Sequence, residues 1–513
     1  MRIEILDTTL RDGEQTQGVS YTPQEKLHIA KMLLKELKVD RIEVSSARIS
    51  KGEFEAIKQI TNWARHNNLH RKVEVLGFVD GETSLNWIND AGGKVNNLLC
   101  KGSLRHLEKQ LRKTPEQHIA DIREIIDRAR EMEIDVNIYL EDWSNGMINS
   151  QDYVMFMIDS MRKSGIGRIM LPDTLGILTP DQTYDFCKKV VDSFPDMMFD
   201  FHPHNDYDLS VANVLAAVKA GVTGVHTTIN GLGERAGNAP LASVIGVLHD
   251  HLKAETNINE FEITKVSKMV ETFSGIRIPA NKPIVGDFVF TQTSGIHADG
   301  DNKDNLYFNN LLPERFGRKR SYALGKQSGK ASIKKNLEEF GTHLSQENID
   351  KLTRRIIELG DKKENVTAED LPFIIADMLG NDTLERKVKI KNYSLSLSYG
   401  LKPFAGVELE IDGTPFQEIS MGDGQYDALV RAIRIIYKKL GKELPLLTDY
   451  RVSIPPGGRT DALVETVISW NLKGKEFKTK GLDADQTESA IKATERMLNI
   501  IENQEFMNGK HRS

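Results

Sequence analysis

The sequence predicts an α/β fold: a (β/α)8 TIM barrel, then a helical linker region, then a C-terminal α+β domain with an internal repeat. Three observations carry this. Before about residue 255, short apolar runs alternate with longer amphipathic segments, giving eight strand–helix units in roughly the length such a barrel needs. Three amphipathic segments open on the same helix-start device: Thr22-Pro23-Gln24-Glu25, Thr114-Pro115-Glu116-Gln117 and Thr179-Pro180-Asp181-Gln182. In each, a capping threonine precedes proline at the first helical position and Glu or Gln at the third. After about residue 386, alternating runs followed by a helix appear, and the pattern recurs once. The expected divisions are 1–255 for the barrel, 256–385 for the linker and 386–513 for the C-terminal domain.

The eight strands read as Ile3–Asp7, Arg41–Val44, Val73–Phe78, Val95–Leu99, Val136–Leu140, Arg168–Leu171, Met198–His202 and Gly224–Ile229. An open doubly wound sheet would want a glycine-rich turn after the first strand. Thr8-Thr9-Leu10-Arg11-Asp12 offers none, which favours the barrel. In the linker, Ile276–Pro283 is an irregular break. Gly325-Lys326-Gln327-Ser328-Gly329-Lys330 has glycines too close for a phosphate-binding loop and Ala331 where Ser or Thr is needed, so it reads as a helix approach. The C-terminal domain shows alternating runs at Val388–Leu397 and Gly406–Ile411 before a helix Tyr426–Leu440. The second copy shows Tyr450–Ile454, Ala462–Trp470 and Glu476–Lys478 before a helix Asp485–Ile501.

A chain of 513 residues is too long for one ordinary core. Its charges are interspersed, and a net charge of -6 gives no electrostatic reason to expect nucleic acid. Two cysteines, Cys100 and Cys187, make neither a disulfide framework nor a thiolate cluster. No run approaches the ~20 apolar residues that span a bilayer. A strand beginning near Arg2 leaves no room for a signal peptide, so a cytoplasmic protein without a membrane partner is expected.

Barrel enzymes place their chemistry on the loops after the strands. The seventh strand ends in Phe199-Asp200-Phe201-His202-Pro203-His204-Asn205-Asp206. Residues i and i+2 of a strand share a face, so His202 and His204 stand roughly 7 Å apart on one side. Alone, an H-x-H is a weak signal. Asp12, after the first strand, completes an N,N,O set suited to a Lewis-acid metal with open positions. The other strand ends bring Arg11, Glu141 and Asp142, Asp173 and Thr174, and Asn230 with the Gly231–Asn238 loop. Two histidines and four carboxylates are thus expected at one mouth, where unpaired charge would be costly to bury.

These residues resemble the acyl-CoA-using Claisen-condensing synthases: the 2-isopropylmalate, homocitrate and citramalate synthases. The resemblance covers nearly the whole chain. It rests on Leu10-Arg11-Asp12-Gly13-Glu14-Gln15 with Lys26, on the His202–Asp206 stretch and on Gly231–Leu241. Asp208 departs from the pattern, since many members carry glycine there, which puts the loop's shape in question. The resemblance implies that a divalent metal (Zn, Mn or Mg) held by Asp12, His202 and His204 binds a 2-oxo acid, with Asn238 as a further ligand or neighbour. It also implies that Arg11 stabilises developing oxygen charge, Thr174 holds the substrate carboxylate, and Glu141 helps remove a proton from acetyl-CoA. His297 and Tyr307, in the linker, are implied to reach the active site of a partner subunit, which makes a homodimer a requirement.

Within the family, the segments around Leu76, Leu99 and Tyr139 resemble the citramalate synthases, which use pyruvate. Isopropylmalate synthases tend to be smaller or more polar there. The C-terminal domain resembles the family's sensor for a branched-chain amino acid. Gly422–Ala428 and Pro455–Ala462 match its motifs, and Tyr426, Asp427, Tyr450, Ile454, Thr460 and Gln486 are the implied effector-site residues. Competing readings are a retro-Claisen lyase, which usually carries a cysteine in a glycine-rich loop, a biotin-dependent carboxyltransferase, which needs a carrier-lysine domain, and a non-catalytic amino-acid-binding regulator.

Overall fold

The computed structural model describes residues 1–46, 50–301, 306–339, 344–361, 371, 374–375, 387–397, 399–453 and 464–503. They form two compact units, Met1–Phe290 with Phe308–Arg320, and Thr291–Tyr307 with Ser321–Ser513.

In the first unit, eight parallel strands close on themselves in chain order. They are β1 (Glu4–Leu10), β2 (Arg41–Val44), β3 (Val73–Phe78), β4 (Val95–Lys101), β5 (Asp135–Glu141), β6 (Ile169–Asp173), β7 (Phe199–Pro203) and β8 (Gly224–Thr227). Closure is made by β1, which pairs with β2 through Leu6↔Arg41 and with β8 through Leu6↔His226. The expected (β/α)8 barrel is therefore the observed one. Helices Pro23–Lys31, Pro115–Glu131 and Pro180–Ser193 begin on full capping boxes at Thr22, Thr114 and Thr179. Residues such as Ile5, Ile42, Val73, Leu98 and Ile138 pack outward from the strands against these helices and their neighbours.

Inside the barrel, Arg41 and Glu43, and Asp200 and His202, stand two apart on their strands, as a strand's alternation demands. Arg41 donates to Glu74 at 2.9 Å and to Asp200 at 2.6 Å. Arg168 donates to Asp200 and to Glu4, both at 2.8 Å. Asn97 donates to Glu43 and Glu74 and accepts from Asn137. Buried charge survives there because each group meets an opposite charge or a donor.

In the second unit, helices Lys330–Glu339 and Gln346–Asp361 pack around Leu324, Ile333, Leu352 and Ile356. The Gly325–Lys330 segment is a helix approach, closed by the Gly325 amide donating to the Ser328 hydroxyl at 2.8 Å. Two antiparallel three-stranded sheets follow, each with a helix behind it. The first joins Val388–Ser396, Phe404–Ile411 and Thr414–Met421, followed by helix Gln425–Lys439. The second joins Leu446–Ser453, Val464–Leu472 and Lys475–Asp483, followed by helix Gln486–Glu502. The internal repeat is thus strand–strand–strand–helix. Thr414–Met421 escaped the sequence reading because, on this edge strand, the half-buried face carries Phe416, Glu418 and Ser420 while apolar Ile419 and Met421 face outward, so hydropathy does not mark the inner face. Among the described residues, no helix is long and apolar enough to cross a membrane.

Candidate active site

Asp12 follows β1 at the start of a short turn, and His202 lies within β7 with His204 just past its end. The three are buried, and their ligating atoms all lie within 4.8 Å of one another. His202 Nε2 is 3.0 Å and His204 Nε2 3.6 Å from Asp12 Oδ2. Asn238 is buried beside them, bridged through its backbone to His204. Asp12 Oδ1, His204 Nδ1 and Asn238 Oδ1 make no hydrogen bond among the described residues. Lone pairs left bare in a buried site are expensive, and a divalent cation is the group that satisfies such a converging N,N,O set. The residues therefore fit a metal.

Protonation states agree with that fit. Burial pushes Asp12 upward, but the Arg11 guanidinium, Nη1 at 3.1 Å, and the two imidazoles outweigh it and hold the carboxyl well below its usual range. Burial lowers His204 to about 4, Asp12 opposing it, and lowers His202 as well. At neutral pH the set is one carboxylate and two neutral imidazoles, the forms that ligate.

The mouth opens into a cavity of about 490 Å³ whose lining includes Arg11, Leu76, Leu99, Tyr139, Glu141, Thr174, His202 and His204. Leu76 and Leu99 pack with Leu6, Tyr139 and Met170 in one cluster. The Tyr139 ring is not merely apolar wall. Its hydroxyl accepts from Arg11 at 3.2 Å and lies 3.2 Å from Glu43 and 3.0 Å from His226 Nδ1. Arg11 is held by Glu43, Nε to Oε2 at 2.5 Å. Glu141 is paired with Lys101, and the Thr174 hydroxyl accepts from the Asp142 amide at 2.9 Å.

Not every strand-end residue joins the site. Asp142 accepts from Ser103 at 2.7 Å, and Asp173 accepts from the Ile177 and Leu178 amides, so both carboxylates staple loops. Asn230 turns away to donate to the Ser267 carbonyl. Of the four carboxylates expected from the strand ends, Asp142 and Asp173 are claimed by loop hydroxyls and amides, while Asp12 and Glu141 remain at the mouth, where Glu14, Glu53 and Glu234 also line the cavity. Asp208 has φ +58, the left-handed conformation that glycine takes most easily, and Asn205 donates to its Oδ1 at 3.1 Å. The turn is thus built with an aspartate where the family pattern has glycine.

In the second unit, the His297 and Tyr307 rings lie 4.2 Å apart. Tyr426 and Tyr450 rings lie 5.1 Å apart, Tyr426 shares a 2.7 Å hydrogen bond with Thr494, and Tyr450 hydrogen-bonds Gln486. Asp427 instead accepts from the Asp423 amide at 2.9 Å and pairs with Arg431 at the same distance. Ile454 and Thr460 lie outside the described residues. Three residues around the mouth, Glu43, Asp200 and His226, were not read as site residues from sequence. For two of them a signal was available, since Arg41-x-Glu43 and Asp200-x-His202 interrupt buried strands at period two; His226, a single histidine in an apolar run, gave none.

The HMGL-like family model matches residues 2–270, the homocitrate synthase post-HMGL domain-like model residues 284–364, and the LeuA allosteric (dimerisation) domain model residues 365–502. The chain is 34% identical over 507 residues to an (R)-citramalate synthase of Methanocaldococcus jannaschii, covering 98% of this chain and 100% of that one. It is also 34% identical over 507 residues to the 2-isopropylmalate synthase of the same organism, with 98% and 95% covered. The 2-isopropylmalate synthase of Pyrococcus furiosus is 36% identical over 511 residues, with 98% and 99% covered. A chain with this barrel, this buried Asp–His–His set and these matches belongs to the HMGL-like family of citramalate and isopropylmalate synthases. Both cysteines are buried, Cys100 in β4 and Cys187 in helix Pro180–Ser193, so neither sits in a lyase-type glycine loop.

Proposed function

We propose that the protein condenses acetyl-CoA with pyruvate, giving (R)-citramalate and CoA in the cytoplasm, as a homodimer under feedback control by a branched-chain amino acid. The observation that carries the reading is the wall beside the Asp12–His202–His204 set. Leu76, Leu99 and Tyr139, packed with Leu6 and Met170, line the cavity there with large side chains, which supports a small ketoacid substituent over a branched one. Clash discriminates better than a missing contact, which is worth only about 1–3 kcal/mol per methylene.

Asp12, His202 and His204, with Asn238 beside them, are the residues that would hold the divalent cation. When bound, that cation supplies Lewis-acid polarisation of the 2-oxo acid's ketone. The side chains do the rest. Glu141, paired with Lys101, takes a methyl proton from acetyl-CoA, assisted by the partner subunit's His297 and the partner subunit's Tyr307. The carbon that lost the proton bonds to the ketone carbon, and the oxygen charge that develops lies beside Arg11. The Thr174 hydroxyl, already accepting from the Asp142 amide, keeps its hydrogen to donate to the substrate carboxylate. Water then cleaves the thioester and CoA leaves. Residues 1–255 carry most of this chemistry, 256–385 link and supply His297 and Tyr307, and 386–513 sense the effector through Tyr426, Asp427, Tyr450, Ile454, Thr460 and Gln486.

A second reading is a 2-isopropylmalate synthase acting on 2-oxoisovalerate. It is favoured by the equal identity to relatives of both names in one organism. Thiol release from acetyl-CoA with each 2-oxo acid, with and without chelator, decides. Pyruvate is expected to win in kcat/KM by about tenfold or more. A preference for the branched acid moves the assignment to the second reading, and full activity after metal stripping defeats the metal role.

A further inference from the structure

The His202 side chain has two ends, and only one faces Asp12. Its Nδ1 lies 3.2 Å from Nδ1 of His226, a fully buried residue of β8. The other nitrogen of His226, Nε2, lies 3.1 Å from Asp200 Oδ2. Asp200 precedes His202 by two residues on β7, so both point into the barrel. Arg41 donates to Asp200 at 2.6 Å and Arg168 at 2.8 Å, and between two guanidiniums the carboxylate can only accept. The hydrogen between Asp200 and His226 therefore sits on His226 Nε2. That leaves His226 Nδ1 a bare lone pair.

Two donors face that lone pair, His202 Nδ1 and the Tyr139 hydroxyl at 3.0 Å. Tyr139 has another acceptor, Glu43 Oε2 at 3.2 Å, so it can leave His226 to His202. A His202 that gives its Nδ1 hydrogen to His226 keeps its Nε2 lone pair, 3.0 Å from Asp12. The opposite tautomer would put a hydrogen on Nε2, where it would donate to Asp12 and could not ligate. The rings of Tyr139, His204 and His226 stand edge-on around His202, with centroids at 5.8, 5.2 and 5.2 Å, and hinder its rotation. His204 lacks such a partner: its Nδ1 makes no hydrogen bond among the described residues.

We infer that Asp200 and His226 are positioning residues, a two-step hydrogen-bond relay that sets the tautomer and ring orientation of His202 before any metal arrives. The inference rests on the metal reading above. It is tested by titrating the metal-stripped, full-length protein with Co2+ and following the visible absorption of the bound ion. His226→Asn places a carbonyl oxygen near the position of Nδ1 and keeps the acceptor for His202. His226→Gln reaches toward Asp200 and leaves the Nδ1 position empty. The expected result is Co2+ binding weakened about 10–100-fold in His226→Gln, with an altered band shape, and within a few-fold of wild type in His226→Asn. Equal losses in both variants, or no loss in either, overturn the relay. Absence of Co2+ binding by the wild type overturns the metal reading and the relay with it, whereas a binding wild type with an unaffected His226→Gln overturns the relay alone. Should His226→Gln not fold, Tyr139→Phe removes the competing donor and must bind Co2+ at least as tightly as wild type; weaker binding counts against the relay.

Discussion

The interior of the barrel holds Arg41, Glu43, Glu74, Asn97, Asp200 and His226 in one hydrogen-bonded web. The core of the two strand–strand–strand–helix repeats is instead built from Leu409, Leu429, Ile433, Ile436, Ile468 and Met497 around Trp470 and Tyr437. A domain needs only the second kind of core to fold. Buried ion pairs add little net stability and are costly when one partner is lost. A barrel that nevertheless keeps them gains fixed charges around a site where charge must develop. On the function proposed above, the charged web serves the condensation, and the apolar core of the repeats carries the effector site beside the Tyr426–Tyr450 pair.

The largest effect expected from this division is Asp12→Asn. It removes the one carboxylate of the metal set, which is buried and held ionised. Loss of kcat/KM on the order of 10³-fold is expected, with loss of Co2+ binding. Retention of both would erase the contrast between the two interiors. Tyr450→Ala probes the other side. It removes one ring of the Tyr426–Tyr450 pair. The concentration of branched-chain amino acid giving half-inhibition should rise about tenfold, a typical cost for losing an aromatic contact at a binding site. The Co2+ titration should stay as in wild type. An unchanged inhibition curve would remove recognition from that tyrosine pair.

How much of each region the sequence revealed differs for the same physical reason. Barrel strands are short and buried on both faces, so their boundaries at Arg41–Val44 and Val73–Phe78 read directly. The capping boxes placed three helix starts because each residue of the motif has one job. His202, His204 and Asp12 were legible because metal-ligand types at strand ends are conspicuous. His226 was not, since one histidine in an apolar run is indistinguishable from a core residue until the neighbouring strand is known. Asp142 and Asp173 misled, because a sequence cannot show that a nearby serine or loop amide has already claimed a carboxylate. The edge strand Thr414–Met421 was silent, because its half-buried face is mostly polar.

Asp7 offers a smaller effect that sharpens the contrast, since it is a buried acid outside the web. Leu6 points into the barrel, so Asp7 on the same strand points the other way. Its Oδ1 accepts from the Thr9 amide at 3.0 Å, and its Oδ2 makes no hydrogen bond among the described residues. Burial without a counter-charge pushes its pKa up to about 7, the Thr9 contacts opposing only in part. In the unfolded chain the same group titrates near 3.9. Between these two values the unfolded state has given up its proton while the folded state keeps it. Stability from this position is therefore lost as pH rises from about 4 to about 7, and is level above that. An amide at this position is neutral at every pH. Asp7→Asn should match wild type in melting temperature near pH 4.5 and exceed it by about 2–4 °C at pH 8. Melting curves of both proteins at the two pH values check this. An equal difference at both would mean that the web is not what separates tolerated buried charge from costly buried charge in this barrel.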